Sequence, residues 1–161
     1  FSYADLPMIS PRIKGAIENL SKTVFLDVGG DPAGSRSLGR FVDAISARGY
    51  EMLLIVNTSR PFTSNADEII VMKEMLEFTS KLQVSELVCN TNLMEFTDQE
   101  LVKDGIAKVQ VAAGLTGLRF DKYLLLREYA SIIPSDIMGK QRELMDYTLK
   151  KPWEKLLNKG I

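Results

Sequence analysis

Asp27 is the residue on which a chemical reading of this sequence converges. It follows the apolar run Thr23-Val24-Phe25-Leu26 and precedes Val28-Gly29-Gly30-Asp31-Pro32-Ala33-Gly34-Ser35-Arg36. A carboxylate at the carboxyl end of a central strand, on the ligand side of an open α/β sheet, is placed to hold a Mg²⁺ ion or its water shell. Asp27 is therefore the candidate metal ligand, and with Asp31 it makes up the candidate catalytic carboxylates. Asp27-Val28-Gly29-Gly30 also reads as D-x-x-G, in which a glycine amide can reach a terminal phosphate because no side chain blocks the approach. Gly29 and Gly30 are accordingly candidate nucleotide-binding positions. The plainer account is a strand-end aspartate that caps the turn after it.

Gly29 to Gly34 fits G-x-x-x-x-G, but Ser35 stands where a phosphate loop needs a lysine to neutralise the β- and γ-phosphates. No G-x-x-x-x-G-K occurs in the chain. Arg36 supplies positive charge to a phosphate or a partner subunit, or is simply an exposed first-turn arginine. Asn90 follows the predicted strand Leu87-Val88-Cys89, with Asn92 two residues on. Its amide carries a donor and an acceptor and can pair with a purine edge, although asparagine is also a common turn residue. Asn57, Arg60 and Pro61 carry the same ambiguity.

The chain has no histidine, which removes Ser-His-Asp and Cys-His nucleophiles, HExxH metal sites and imidazole acid/base catalysis together. What remains is carboxylates, Lys/Arg, hydroxyls, backbone amides or a bound metal. One cysteine, Cys89, allows neither an internal disulfide nor a zinc cluster and agrees with a reducing, cytoplasmic setting. Twenty basic and 21 acidic residues, spread along the chain to a net −1, leave no electrostatic footprint for nucleic acid. The longest apolar run, Met52 to Val56, is far short of the roughly 20 residues that span a bilayer.

These groups must be held by elements, and 161 residues with 45% hydrophobic and 25% charged composition fit one globular domain. Pro7 and Pro11 mark an extended or turn-rich lead-in. Ile13, Ala16, Ile17 and Leu20 give a short amphipathic helix. Thr23 to Val28, nearly continuous in apolar residues, reads as a central parallel strand, and Met52 to Val56 as a second buried one. Between them Leu38, Phe41, Val42 and Ile45 recur at helical spacing, with Gly49 at the C-cap. Ser64 or Asn65 caps the next helix. Thr97-Asp98-Gln99-Glu100 reads as a capping box, opening a helix that Gly114 and Gly117 end. Tyr123 to Leu126 is the fourth strand, with Ile132-Ile133 competing for that place. The tail from Lys140 to Ile161 reads as helix interrupted at Lys151-Pro152-Trp153, with Trp153 clamped on the domain body. Successive strand-helix units with right-handed crossovers predict a mostly parallel α/β sheet with flanking helices.

The order of parts resembles the MinD/ParA/CobQ group of P-loop ATPases, which carry a deviant Walker A loop. Asp27-Val-Gly-Gly-Asp31 carries the likeness most specifically. Gly34-Ser-Arg-Ser-Leu-Gly39-Arg40-Phe41, Val56-Asn-Thr-Ser-Arg-Pro61 and Leu87-Val-Cys-Asn90-Thr-Asn92-Leu93 follow in order. The resemblance implies that Asp27 is the Walker B residue orienting the Mg²⁺-bound water, that Gly30 belongs to the switch sensing the γ-phosphate, and that Asn90 contacts adenine. It also implies that the complete protein binds Mg-ATP, closes a dimer on it and acts as a switch.

The family's first strand, its two-lysine loop and the following helix have no counterpart, because only 22 residues precede Thr23. The fold is thus expected to be P-loop NTPase-like but incomplete. Residues 1–161 are expected to be the C-terminal part of a larger ATPase domain, with ATP hydrolysis belonging to the whole and little of it to this chain alone. The alternative is a non-catalytic α/β interaction module that kept the scaffold. In the family's fold the Walker A strand lies between the strands at 23–28 and 52–56. Here those two must pair directly, leave a gap or recruit a strand, and an exposed edge invites association. A homodimer or larger oligomer, with an unidentified protein partner, is the corresponding expectation.

Overall fold

The computed structural model describes residues 12–148. The prolines of the lead-in and Trp153 lie outside the described residues. The first helix, α1 (Arg12–Glu18), leads to α2 (Pro32–Arg36), a 3-10 turn over Ser37–Arg40, and α3 (Val42–Arg48). Strand β1 (Leu53–Val56), helix α4 (Ala66–Ser80), strand β2 (Glu86–Cys89), helix α5 (Gln99–Thr116) and strand β3 (Lys122–Leu126) continue the alternation. A hairpin of β4 (Asp136–Ile137) and β5 (Lys140–Met145) completes a five-stranded sheet in the order β1-β2-β3-β5-β4. Strands β1, β2, β3 and β5 are parallel and β4 is antiparallel to β5. The expected α/β class with a mostly parallel sheet is what the chain forms.

Alternation in the strands sets the core. Leu54, Val56, Leu87, Cys89, Tyr123 and Leu125 are all buried in one cluster with Ile69 and Leu76 of α4 and Val102, Ile106 and Val109 of α5. Burying each such side chain contributes about 1.5–3 kcal/mol, so this cluster dominates the fold. Helix α5 reaches the sheet closely because Gly105 faces Thr91: a Cβ there would stand 2.3 Å from the threonine Oγ1. Cys89 is 1% exposed, and burial pushes its thiol pKa up. A second, smaller cluster of Ile17, Leu38, Ile45 and Leu82 joins α1 and α3 to the loop after α4.

Several expectations change. Thr23 to Val28 is not a strand: it has no assigned secondary structure, pairs with nothing, and leaves Phe25 92% exposed. A strand exists only through its neighbour's hydrogen bonds, and no described residue offers this run an edge. For the same reason β1 is an edge strand, with Leu53 and Ile55 nearly half exposed where an interior strand was expected. Lys140 to Met145 forms β5 rather than helix, turned back on β4 by Met138 and Gly139, both at positive φ as a two-residue hairpin turn requires. Helix α5 is capped by Asp98, whose side chain accepts from the Leu101 amide, whereas Thr97 Oγ1 accepts from Leu93. Gly114 lies inside α5, and Gly117 alone ends it in the left-handed conformation. Of the two caps considered for α4, Asn65 takes the role, accepting from the Glu68 amide.

Candidate functional site

A cavity of about 690 Å³ separates the Asp27 segment from β1. Val24 to Gly30 line one side and Glu51 to Ile55 the other, with the buried Leu38, Ile45, Leu76 and Leu82 between them. The two runs expected to be neighbouring strands therefore stand apart, and the gap alternative is the one realised.

The G-x-x-x-x-G spacing has a local cause. Gly29 and Gly34 meet backbone to backbone, and a Cβ on Gly34 would lie 2.8 Å from the Gly29 Cα. Asp31 caps α2, its Oδ1 accepting the Gly34 amide at 2.6 Å, and Pro32 occupies the first helical turn as Pro commonly does. Ser35, 1% exposed, anchors α2 on α4 through the Thr79 hydroxyl at 2.5 Å. One oxygen of Asp31 is thus committed to structure. Gly30 differs from the other two glycines: nothing stands within 4 Å of where its Cβ would be, and its φ is not positive. Asp27 is exposed, with no hydrogen bond or ion pair among the described residues. Arg36, the last residue of α2, is likewise exposed and unpaired among them.

Asn90 sits at the carboxyl end of β2, where its amide donates to Val56 O at 2.7 Å, and it does not line the cavity. Around it the asparagines lock two loops together. Asn57 Nδ2 donates to Asn92 O at 3.1 Å, while Asn57 Oδ1 accepts the Ser59 amide at 2.9 Å. Asn92 Nδ2 donates to Asn90 O at 2.9 Å and to Asn90 Oδ1 at 3.3 Å. Beneath them Thr58 N donates to the buried Thr91 Oγ1 at 3.2 Å. Asn57 and Asn92 are turn residues, whereas the Asn90 Nδ2 keeps its hydrogens for another acceptor. The structure brings Asp27, Gly29 and Gly30 together on the cavity, puts Asp31 and Arg36 on the adjoining helix, and sets Asn90 two loops away.

Arg48 was not visible as a site residue. Its guanidinium lines the cavity and donates to Ile17 O at 2.5 Å, to Asn19 O at 3.0 Å and to Lys22 O, which fixes the start of the Asp27 segment. A last-turn arginine is too common for its spacing to announce this. At the opposite, amino end of β2, the buried Glu86 pairs with Arg119, whose Nε lies 3.0 Å from Glu86 Oε2 and whose pKa is raised by that hydrogen bond and charge. Glu86 Oε1 has no partner. Among the described residues no group of three or more acidic or cysteine side chains is placed to hold a metal ion, and no helix is long and apolar enough to cross a membrane.

Fold and site together define an α/β chain with a mostly parallel sheet whose first strand lies open. No protein-family model, no curated protein and no solved structure matches the chain.

Proposed function

We propose that Asp27 to Arg36 is the metal-holding and phosphate-sensing half of a Mg-nucleotide site, in an ATPase switch of the MinD/ParA/CobQ type. The carrying observation is Gly30: it stands in open space beside the free carboxylate of Asp27, and no turn or close contact accounts for its lack of a side chain. A glycine without a local cause is what close approach of a ligand to the backbone requires. Asp27 then orients Mg²⁺, the Gly30 amide donates to the terminal phosphate, Arg36 adds charge, and the Asn90 Nδ2 meets the base. Asp31, besides capping α2, keeps one oxygen for the water shell. Phosphoryl transfer is positioning and charge stabilisation, so without a lysine-bearing cradle the chain by itself hydrolyses little ATP.

Calorimetric titration of Mg-ATP and Mg-ADP into this chain is expected to show no binding at micromolar strength. Micromolar binding would overturn the reading of the site as half complete. In a polypeptide that also carries the cradle, Asp27→Ala should abolish turnover, and unchanged turnover removes Asp27 from the site. A second reading is favoured by the exposed Phe25, Leu53 and Ile55 along the cavity: an interaction module with no nucleotide chemistry. It predicts that neither form of the protein responds to ATP.

A further inference from the structure

Both walls of the cavity carry unused backbone. No backbone group from Thr23 to Gly30 has a hydrogen-bond partner among the described residues. On the other wall, the Val56 carbonyl is taken by Asn90 of β2, so the even-numbered residues of β1 address β2. Backbone groups alternate along a strand, and the N–H and C=O of Leu53 and Ile55 therefore point away from β2, into the cavity. Strand β1 is the outermost in its sheet, although parallel strands are ordinarily covered and paired on both sides.

We propose that the cavity is a strand acceptor. It takes one extended, uncharged, apolar peptide strand that is not a copy of this chain, hydrogen-bonded to Leu53 and Ile55 on one side and to the Val24 to Val28 backbone on the other. A helix does not fit this role, because its own N–H and C=O groups are consumed internally and would leave both walls unsatisfied. A second copy does not fit either. Its β1 already belongs to a sheet, and bringing that edge in would displace the Asp27 wall, which Arg48 holds at one end and Ser35 at the other. A two-walled slot admits a strand that has no sheet of its own. Charge points the same way: the lining is apolar apart from Asp27, Arg48, Glu51 and small polar groups, and Arg48 is already committed to three carbonyls. The wall from Thr23 to Val28 spans roughly 20 Å at about 3.3 Å per residue, the length of a typical strand.

The inference deepens the proposed function in that such a strand runs beside Asp27 and Gly30, where a phosphate-binding segment is needed. Its test uses no nucleotide, so the two readings fail separately. The probe is a fluorescent peptide, Lys-Val-Ile-Val-Val-Ile-Lys, titrated into the intact chain with hydrogen exchange read residue by residue. Saturable one-to-one binding is expected, with exchange at Leu53, Ile55 and Val24 to Val28 slowed about tenfold or more and Leu54 and Val56 unchanged. The same peptide N-methylated at alternate residues loses one edge and should bind at least about tenfold more weakly. Ile55→Lys, at a half-exposed position, should lose the peptide while keeping its thermal transition. Absence of binding, equal binding of the methylated peptide, or no protection at Leu53 and Ile55 overturns the proposal. So does a dimer in sedimentation velocity that protects those two amides without peptide.

Discussion

Two apolar runs in this chain have nearly the same composition and opposite fates. Leu87-Val88-Cys89 lies between β1 and β3 with every residue buried, whereas Val24-Phe25-Leu26 lies unpaired along a cavity with Phe25 almost fully exposed. Their side chains do not explain the contrast. β2 has a hydrogen-bonding neighbour on each side and α5 above it, and the Asp27 segment has neither. Strand propensity describes fitness for a pleated, half-buried surface, and where that surface is missing the propensity has nothing to act on.

The contrast breaks most sharply on two truncations. Ile106→Ala, in the finished cluster, should cost about 2–5 kcal/mol by urea unfolding, whereas Phe25→Ala should stay within about 0.5 kcal/mol. A large loss at Phe25 would mean that the segment is packed after all. Two glycines sharpen it further. Gly105→Ala pushes a methyl into Thr91 and should cost about 1–3 kcal/mol. Gly30→Ala enters open space and should leave the melting temperature unchanged, while removing the phosphate contact proposed for it. Removing the α2 cap with Asp31→Ala should cost about 1 kcal/mol, and amide exchange should quicken at Gly34 before it does in β2.

The smallest effect is a pH dependence at the start of α4. Glu68 accepts the Ser64 amide and hydroxyl, each at 2.8 Å, which holds its folded pKa below 4.5. A depressed folded pKa stabilises fully above the unfolded value and is lost as the pH falls through the lower, folded one. Glu68→Gln should therefore flatten the acid limb of the stability curve below pH 4.5 and leave the neutral region alone. An unchanged acid limb would remove this carboxylate from the acid response.

The helices behind the sheet were legible because their signals are local. Spacing of Ile69, Met72 and Leu76, an asparagine cap and a glycine stop all lie within a few residues of what they determine. The fate of Thr23 to Val28 was not, because it depends on a neighbouring edge, and neither was the hairpin at Met138-Gly139, which lacks the asparagine or aspartate that usually marks such a turn. At the candidate site, the grouping of Asp27 with Gly29 and Gly30 followed from sequence adjacency. What separates the three glycines is contact, Gly29 with Gly34 and Gly30 with nothing, and no spacing rule carries that.

Cys89, the chain's only cysteine, has a further consequence. It lies at the sheet's centre with its thiol near Thr91 and its pKa raised, so a thiol reagent meets a reactive sulfur only after β2 opens. Labelling speed at increasing reagent concentration will pass from an opening equilibrium to an opening rate. The wild-type chain thus carries a built-in clock for the lifetime of its finished half, one that needs no engineered probe and can run while the seam is empty or filled.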